Sequence, residues 1–298
     1  MNRRLALIFT AAGLVLAAGV LLACGDTDVP PGKAVAPAPA AAPVALQFTT
    51  EELKERETWE DFLRTAELVS SRQLGGSEAV TKPWVLTLKK GEVTHQGLWK
   101  NAQGRMGGYW EGWNYEIAAY LLDKHIGLGM VPPTVERRFH GERGSCQYWI
   151  DNAMSLRDRD EKRIKMPLAK NFSWNRATYL QRLFDNLIAN EDRHSNNVFI
   201  TSDWRMILID HSRSFRTSNR FTKSLIYSAK SPEGPKLMSE LPRSIVDRIK
   251  ALDFTGIKAV VGEYLSDEEI RAVLIRRDLI LKEIERLVEV NGEAKVLY

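Results

Sequence analysis

The chain has 298 residues, 44% of them hydrophobic, with 42 basic and 38 acidic side chains. That is enough apolar material for one large domain or two small ones, and it excludes a natively disordered chain. The formal net charge of +4 is too small to give a footprint for nucleic acid.

Met1-Asn2-Arg3-Arg4 is a basic start, and an apolar run from Leu5 to Ala23 follows it, the pattern of a secretion signal or membrane anchor. The run closes on Leu21-Leu22-Ala23-Cys24, which resembles the bacterial lipobox. That resemblance implies a signal peptide over 1–23, cleavage before Cys24, and lipidation of Cys24. The expected location is the cell envelope, lipid-anchored and facing the periplasm or exterior. Gly25 in place of Asp after the cysteine tilts the expectation toward the outer membrane. An uncleaved apolar helix is the other reading, and it too would tether the domain to a membrane. Loss of the leader leaves 40 basic residues against 38 acidic ones. With Cys24 lipidated, Cys146 is the one remaining thiol, so the fold stands without an intramolecular disulfide. Residues 24–48 carry "VPPGKAVAPAPAAAPVA", a Pro- and Ala-rich spacer with nothing to bury.

The folded part begins near Thr49. Thr49 and Glu52 have capping-box spacing, and Leu53, Trp59, Phe62, Leu63, Ala66 and Leu68 supply an apolar face, which predicts one helix ending before Gly75-Gly76. "WVLTL" (84–88) and "HQGLWK" (95–100) read as a hairpin about a turn at Lys89-Lys90-Gly91-Glu92. A stretch with Gly104, Gly107, Gly108 and Gly112 leads into a helix over 113–127, stopped by Gly127 and Gly129. "MVPPTVERRF" and "CQYWI" are further strands. "SWNRATYLQRLFDNLIAN" is a helix with Ser173 as its cap and Ala177, Leu180, Phe184 and Leu187 as its stripe. "NVFI" and "RMILID" form a strand pair, and a long helix opens at the Ser266/Glu269 capping box and runs to Asn291-Gly292. The expectation is an α+β chain: a strand-rich N-lobe over 49–150 and a helical C-lobe over 151–298.

Between two buried-looking elements lies "NEDRHSNN" (190–197). An Asp entering a loop after a buried helix, an Asn five residues on, and an Asp closing the next strand pair suit phosphoryl transfer, which needs an orienting acid and oxygen ligands for a metal. Asp192 is the candidate acid/base, and Asn197 and Asp210 are the candidate metal ligands. His194 and Arg193 would steady the loop or neutralise phosphate charge. The same chemistry needs a strand-borne cation and a helical carboxylate to hold it. Lys100 ends the second hairpin strand, and Glu116 lies in an apolar Tyr115-Glu-Ile-Ala-Ala setting that demands a partner.

The segments "YEIAAYLLDKHIGLGMVPPTVER", "FDNLIANEDRHSNNVFI" and "MILIDHSRSF" resemble those of the secretory-pathway kinases, the group of the Golgi casein kinase and the glycosaminoglycan xylosylkinase. More distantly they are similar to phosphatidylinositol 3- and 4-kinases and HipA-type kinases. The resemblance implies a bilobal atypical kinase fold that uses ATP with Mg2+ or Mn2+. Lys100 and Glu116 would pair over the nucleotide, Gln147, Tyr148, Trp149 and Ile150 would form the hinge, and Asp192 and His194 would serve catalysis. The acceptor would be a hydroxyl on protein, glycan or lipid. Two departures stand out: there is no Gly-x-Gly-x-x-Gly loop, and His211-Ser212 follows Asp210 where most protein kinases have Phe-Gly. The Lys89-Lys90-Gly91 turn is the sequence's substitute for the phosphate-covering loop. The aromatic group Tyr109, Trp110 and Trp113 fits interlobe packing or a substrate platform. The basic stretches 157–170 and 213–223 fit an acidic substrate or a solvated face. A pseudokinase acting as a nucleotide- or partner-binding module is the alternative function. A hydrolase using Asp192, His194 and Asp210 is a third, opposed by histidines without close ligand spacing.

Overall fold

A computed structural model describes residues 48–75, 81–231 and 234–298. The leader, Cys24 and the spacer therefore lie outside the described residues. Two short helices, α1 (Thr50–Lys54) and α2 (Arg56–Thr65), precede strands β1 (Glu67–Gln73), β2 (Trp84–Lys90), β3 (Val93–Lys100), β4 (Gln103–Met106) and β5 (Tyr109–Gly112). Then come α3 (Trp113–Ile126), β6 (Thr134–Phe139), β7 (Glu142–Tyr148), β8 (Met154–Ser155) and α4 (Leu156–Glu161). The remainder is α5 (Asn171–Ile188), β9 (Val198–Ile200), β10 (Met206–Leu208), α6 (Asn219–Thr222), α7 (Arg243–Lys250), α8 (Phe254–Val261), α9 (Asp267–Asn291) and α10 (Glu293–Val296).

Five strands form one antiparallel sheet in the order β1-β2-β3-β7-β6. Its register sorts side chains onto two faces, because alternate residues of a strand point oppositely. Leu86, Gly97 and Tyr148 share one row, and Trp84, Trp99 and Cys146 the next row on that face. Phe62 and Leu63 of α2 and Ala66 just after it cover this face, with Leu88, Val135 and Phe139, as one hydrophobic cluster. Gly97 permits this close approach: a Cβ there would stand 2.7 Å from Cys146 Sγ and 3.2 Å from a Leu63 methyl. The opposite face carries Val85, Leu98, Lys100, Ser145 and Gln147.

A second, larger cluster is helical. Ala177, Leu180, Phe184 and Leu187 of α5, the stripe read from the sequence, are all buried against Ile270, Val273, Ile280, Ile284 and Leu287 of α9. Tyr115, Ala118, Ala119, Tyr120, Leu122 and Ile126 of α3 belong to this same cluster. The chain is therefore strand-rich first and helical after, an α+β architecture, with α3 packed on the helical core. Residues 44–298 form one compact unit that contains both clusters.

Three local expectations are corrected. The first helix does not run to Gly75-Gly76: α2 ends at Thr65, Ala66 is extended with φ −61° and ψ 144°, and 67–73 is an exposed edge strand. Val69, Ser70 and Ser71 are weak helix formers, and Leu68, Ser70 and Ser71 pair with β2 instead. Ser173 lies inside α5, whose N-cap is Lys170, and its hydroxyl donates back to the Lys170 carbonyl at 3.0 Å. The Lys89-Lys90-Gly91 turn is at the wrong end of the sheet to cover phosphates. Lys89 pairs with Thr94, six residues and roughly 20 Å of strand from Lys100, and Lys90 is bound to Asp61 of α2. Gln73 at the end of β1 and Trp84 at the start of β2 pair at the Lys100 end.

A buried carboxylate joins the two clusters. Asp123 of α3 is fully buried and accepts from the backbone N–H groups of Gly129, Met130 and Val131 at 3.1, 2.7 and 3.1 Å. It also accepts from the guanidinium of Arg56 on α2 at 3.1 Å. Substituting Asp123→Ala would leave three amide donors and a buried cation without a partner. The expected loss is about 3–5 kcal/mol, read as a lower urea midpoint at unchanged slope; a loss below about 1 kcal/mol contradicts this role.

Candidate active site

Lys100 is delivered by the last register position of β3, opposite Ser145, on the face away from α2. Its ammonium is buried, 2.7 Å from Glu116 Oε1 and 2.9 Å from Asp210 Oδ1. Burial works against the charge of Lys100, but the two carboxylates outweigh it and hold its pKa above the usual lysine value. Burial likewise opposes ionised Glu116, and Lys100 overrides it, so Glu116 stays below the usual carboxylate range. The second oxygen of Glu116 accepts the backbone N–H of His211 at 2.9 Å. One carboxylate thus ties β3, α3 and the segment after β10 together. Asp210 itself adopts φ 57°, a left-handed conformation uncommon outside glycine, which turns the chain immediately after the strand pair.

The loop 190–197 is held from beneath by an ion pair that sequence reasoning missed. Asp185, fully buried in the last turn of α5, meets Arg193 at 3.0 Å from both Nε and Nη2. Nη1 of Arg193 donates to the carbonyls of Asn197 and Ile209, both at 2.6 Å. Arg193 therefore locks the loop to the residue preceding Asp210. Of its two expected roles it performs the structural one. The signal in the sequence was an Asp within the apolar stripe of α5, and it went unread.

Asp192 is half-buried at the edge of this knot. Its carbonyl accepts from Asn197 Nδ2 at 2.9 Å, and its carboxylate is 3.1 Å from Nη1 of Arg213. Partial burial pushes its pKa up, Arg213 and His194 oppose that, and Asp210 adds to it. Arg213 was read only as part of a basic stretch, yet it also pairs with buried Glu111 of β5 at 2.6 Å and lies 4.4 Å over the Tyr109 ring. His194 is an exposed side chain whose Nδ1 accepts from the Asn196 N–H at 3.3 Å, capping the short turn Ser195–Asn197, with Nε2 3.8 Å from Asp192. His211 is fully buried, which pushes its pKa down, and its ring packs edge-on against Phe184.

The four hinge candidates separate by face. Gln147 is on the Lys100 face, its Nε2 donating to Thr134 Oγ1 at 2.9 Å. Tyr148 points the other way, stacked on His95 at 4.3 Å and tilted against Trp59 at 4.8 Å. The Trp149 backbone closes the strand, its N–H on the Gln96 carbonyl at 3.2 Å and its own carbonyl against His95 at 2.9 Å. Ile150 lines a cavity of about 280 Å³ behind this segment, with Phe48, Glu52, Trp59 and Arg205. Of the aromatic group, Tyr109 and Trp110 are exposed while Trp113 is buried.

The residues fit a divalent cation of the oxygen-preferring kind. Both contacts of the Asp210 carboxylate, from Lys100 and from the Ser212 hydroxyl at 3.0 Å, fall on Oδ1, so Oδ2 has no partner among the described residues. Asn197 commits its amide nitrogen to Asp192, which leaves Oδ1 without a partner among them as well. A carboxylate and an amide oxygen are the hard donors that Mg2+ and Mn2+ prefer.

No protein-family model and no curated protein matches the sequence. Solved structures do match. A hydra Fam20 structure with sugar superposes with a TM-score of 0.61 at 14% identity, over 85% of this chain and 95% of its own. The Golgi casein kinase gives a TM-score of 0.59 at 14% identity, over 85% and 79%. Its Mn/ADP-bound structure gives 0.59 at 15% identity, over 85% and 80%. With β3, α3 and the β9–β10 segment bringing Lys100, Glu116 and Asp210 into contact, the chain has the fold of the secretory-pathway kinases.

Proposed function

We propose that this chain is a membrane-tethered, ATP-dependent kinase that transfers phosphate to a hydroxyl on a protein, glycan or lipid of the cell envelope. The observation that carries the reading is the buried ammonium of Lys100 between Glu116 and Asp210. A purely structural pair needs one carboxylate per cation; here a third group, Asp210, has an oxygen to spare and sits beside a second oxygen donor, Asn197. The Golgi casein kinase structure with Mn/ADP supports a nucleotide and a divalent metal for this fold. The lipobox-like Leu21-Leu22-Ala23-Cys24 supports the tether.

In this reading Lys100 binds nucleotide phosphate and Glu116 keeps it aimed. Asp210 and Asn197 hold the cation, which supplies charge neutralisation on the phosphates when bound. Gln147, Tyr148, Trp149 and Ile150 border the nucleotide base through backbone and through the Gln147 side chain. Asp192 orients the acceptor hydroxyl and accepts its proton as the oxygen bonds to the γ-phosphorus and the bond to the β-phosphate oxygen breaks, releasing ADP. His194 shapes the loop that presents Asp192. Partial burial raises the pKa of Asp192, which makes its carboxylate a better proton acceptor than an exposed one.

Two measurements test this. ATP with Mg2+ or Mn2+ is expected to raise the melting temperature of the 44–298 unit, and Asp210→Ala to abolish that shift. Asp192→Asn is expected to keep the shift but to lower transfer of radiolabelled phosphate onto envelope extracts by about 10²-fold or more. Equal transfer by Asp192→Asn overturns its assignment as base. A nucleotide shift with no transfer by the wild type leaves the pseudokinase reading.

The pH dependence has a defined sign. Asp192 acts as the carboxylate, so activity falls as pH drops through its raised pKa. Arg213 favours the ionised form, and Arg213→Gln removes that help. The acid limb of kcat/KM is expected to move to higher pH in this variant. An unmoved limb would place Arg213 outside the control of Asp192.

A further inference from the structure

Between α4 and α5 the backbone makes a short excursion that the catalytic reading does not use. Residues 162–170 contain Lys162, Arg163, Lys165 and Lys170 and no acidic residue. The apolar side chains here face solvent: Leu168 is 86% exposed, Phe172 60% and Ile164 38%. Isolated exposed apolar residues need no explanation, but three within nine positions, interleaved with cations, do.

The excursion is built rather than loose. Arg163 adopts φ 53° at the end of α4, and the N–H groups of Lys162, Arg163 and Ile164 bond to the carbonyls of Asp158, Asp160 and Arg159 at 2.9, 3.1 and 2.9 Å. Pro167 opens a 3-10 turn over Leu168–Lys170, closed by the Lys170 N–H on the Pro167 carbonyl at 2.9 Å. Phe172 is backed by Arg176, 4.2 Å from its ring. The acids of α4 are matched locally, Glu161 by Arg157, Asp160 by Arg159 and Asp158 by Ser155. Arg163, Lys165 and Lys170 form no ion pair among the described residues, so the knuckle presents uncompensated positive charge around apolar tips.

Its position gives the pattern a direction. α4 packs against the Ser195–Asn197 turn that follows Asp192. Phe48, where the described chain begins, shares the cavity behind the hinge with Asn152, two residues before β8, and α4 follows β8 directly. α4 thus runs from the edge of that cavity to the knuckle.

We infer that the 162–172 knuckle docks on an anionic lipid bilayer, with Ile164, Leu168 and Phe172 entering the boundary of headgroups and acyl chains and the basic residues pairing with lipid phosphates. Charge selects this occupant: four cations without an acid complement an anionic surface, while apolar tips flanked by long basic side chains match the interfacial depth of headgroups. The contact presents the Asp192 loop toward the membrane surface. It is independent of whether phosphate is transferred.

The test uses the 44–298 unit, which lacks the tether, with vesicles of phosphatidylcholine alone or mixed with phosphatidylglycerol. Binding is expected only to the mixed vesicles, and it weakens as salt rises. The Arg163→Gln/Lys165→Gln double variant is expected to weaken it by about thirtyfold, and Leu168→Ser/Phe172→Ser by about tenfold or more. Because Cys146 is fully buried, a thiol-reactive dye placed through Leu168→Cys reports the knuckle alone, and its emission is expected to shift to the blue on mixed vesicles. Circular dichroism and melting temperature, expected to be unchanged in each variant, separate loss of docking from loss of fold. No binding of the wild type to anionic vesicles, equal binding by either double variant, or binding without a blue shift would overturn the inference.

Discussion

The arrangement depends on one buried ammonium. Taking Lys100 out of water costs several kcal/mol unless opposite charges surround it. Glu116 and Asp210 do so at 2.7 and 2.9 Å. The three groups come from three different elements, so satisfying the lysine fixes the end of β3, the rotation of α3 about its axis and the path of the chain after β10. A buried pair is often no more stabilising than apolar residues of the same volume. What it does here is geometric: it penalises every conformation in which α3 turns Glu116 away or the Asp210 segment swings out.

A second buried pair does the same for the loop. Arg193 sits between the Asp185 carboxylate and two backbone carbonyls, at Asn197 and Ile209. Its donors are in a fixed planar fork, so a lysine could not make this set of bonds. The loop around Asp192 is irregular backbone next to the core, and its polar groups need partners that neither helix nor sheet supplies. Arg193 and the side chains of Asn190 and Asn197 supply them. The density of charged and amide residues in 190–197 thus has a mechanical cause as well as a chemical one.

Much of this was legible in the sequence where the cause is local. Capping boxes at Thr49 and Ser266 formed as their spacing requires, and the 3.6-residue stripe of α5 is buried along its length. Glu116 was readable because a carboxylate among apolar helix residues needs a cation, and Lys100 was the nearest strand-end candidate. What stayed hidden is non-local. Asp123 finds Arg56 across 67 positions and Glu111 finds Arg213 across 102, and no periodicity encodes either. β1 was misread for a related reason: Leu68-Val69-Ser70-Ser71 has no strong local preference, and only the neighbouring β2 decides its conformation.

The hairpin β4–β5 shows how these separate constraints become one device. It is the link between Lys100 and Glu116, and it is clamped onto the segment after Asp210 by the Gly112 N–H on the Ser212 carbonyl at 3.0 Å and by the pair of Glu111 with Arg213. Arg213 in turn reaches Asp192 at 3.1 Å. A displacement of the hairpin, which exposes Tyr109 and Trp110 at its tip, would therefore alter the charge beside Asp192 without touching the loop that carries it. Packed interfaces of this kind move between discrete arrangements rather than deforming smoothly. The hairpin tip is thus connected to Asp192 by a short chain of contacts, from the Tyr109 ring and Glu111 through Arg213.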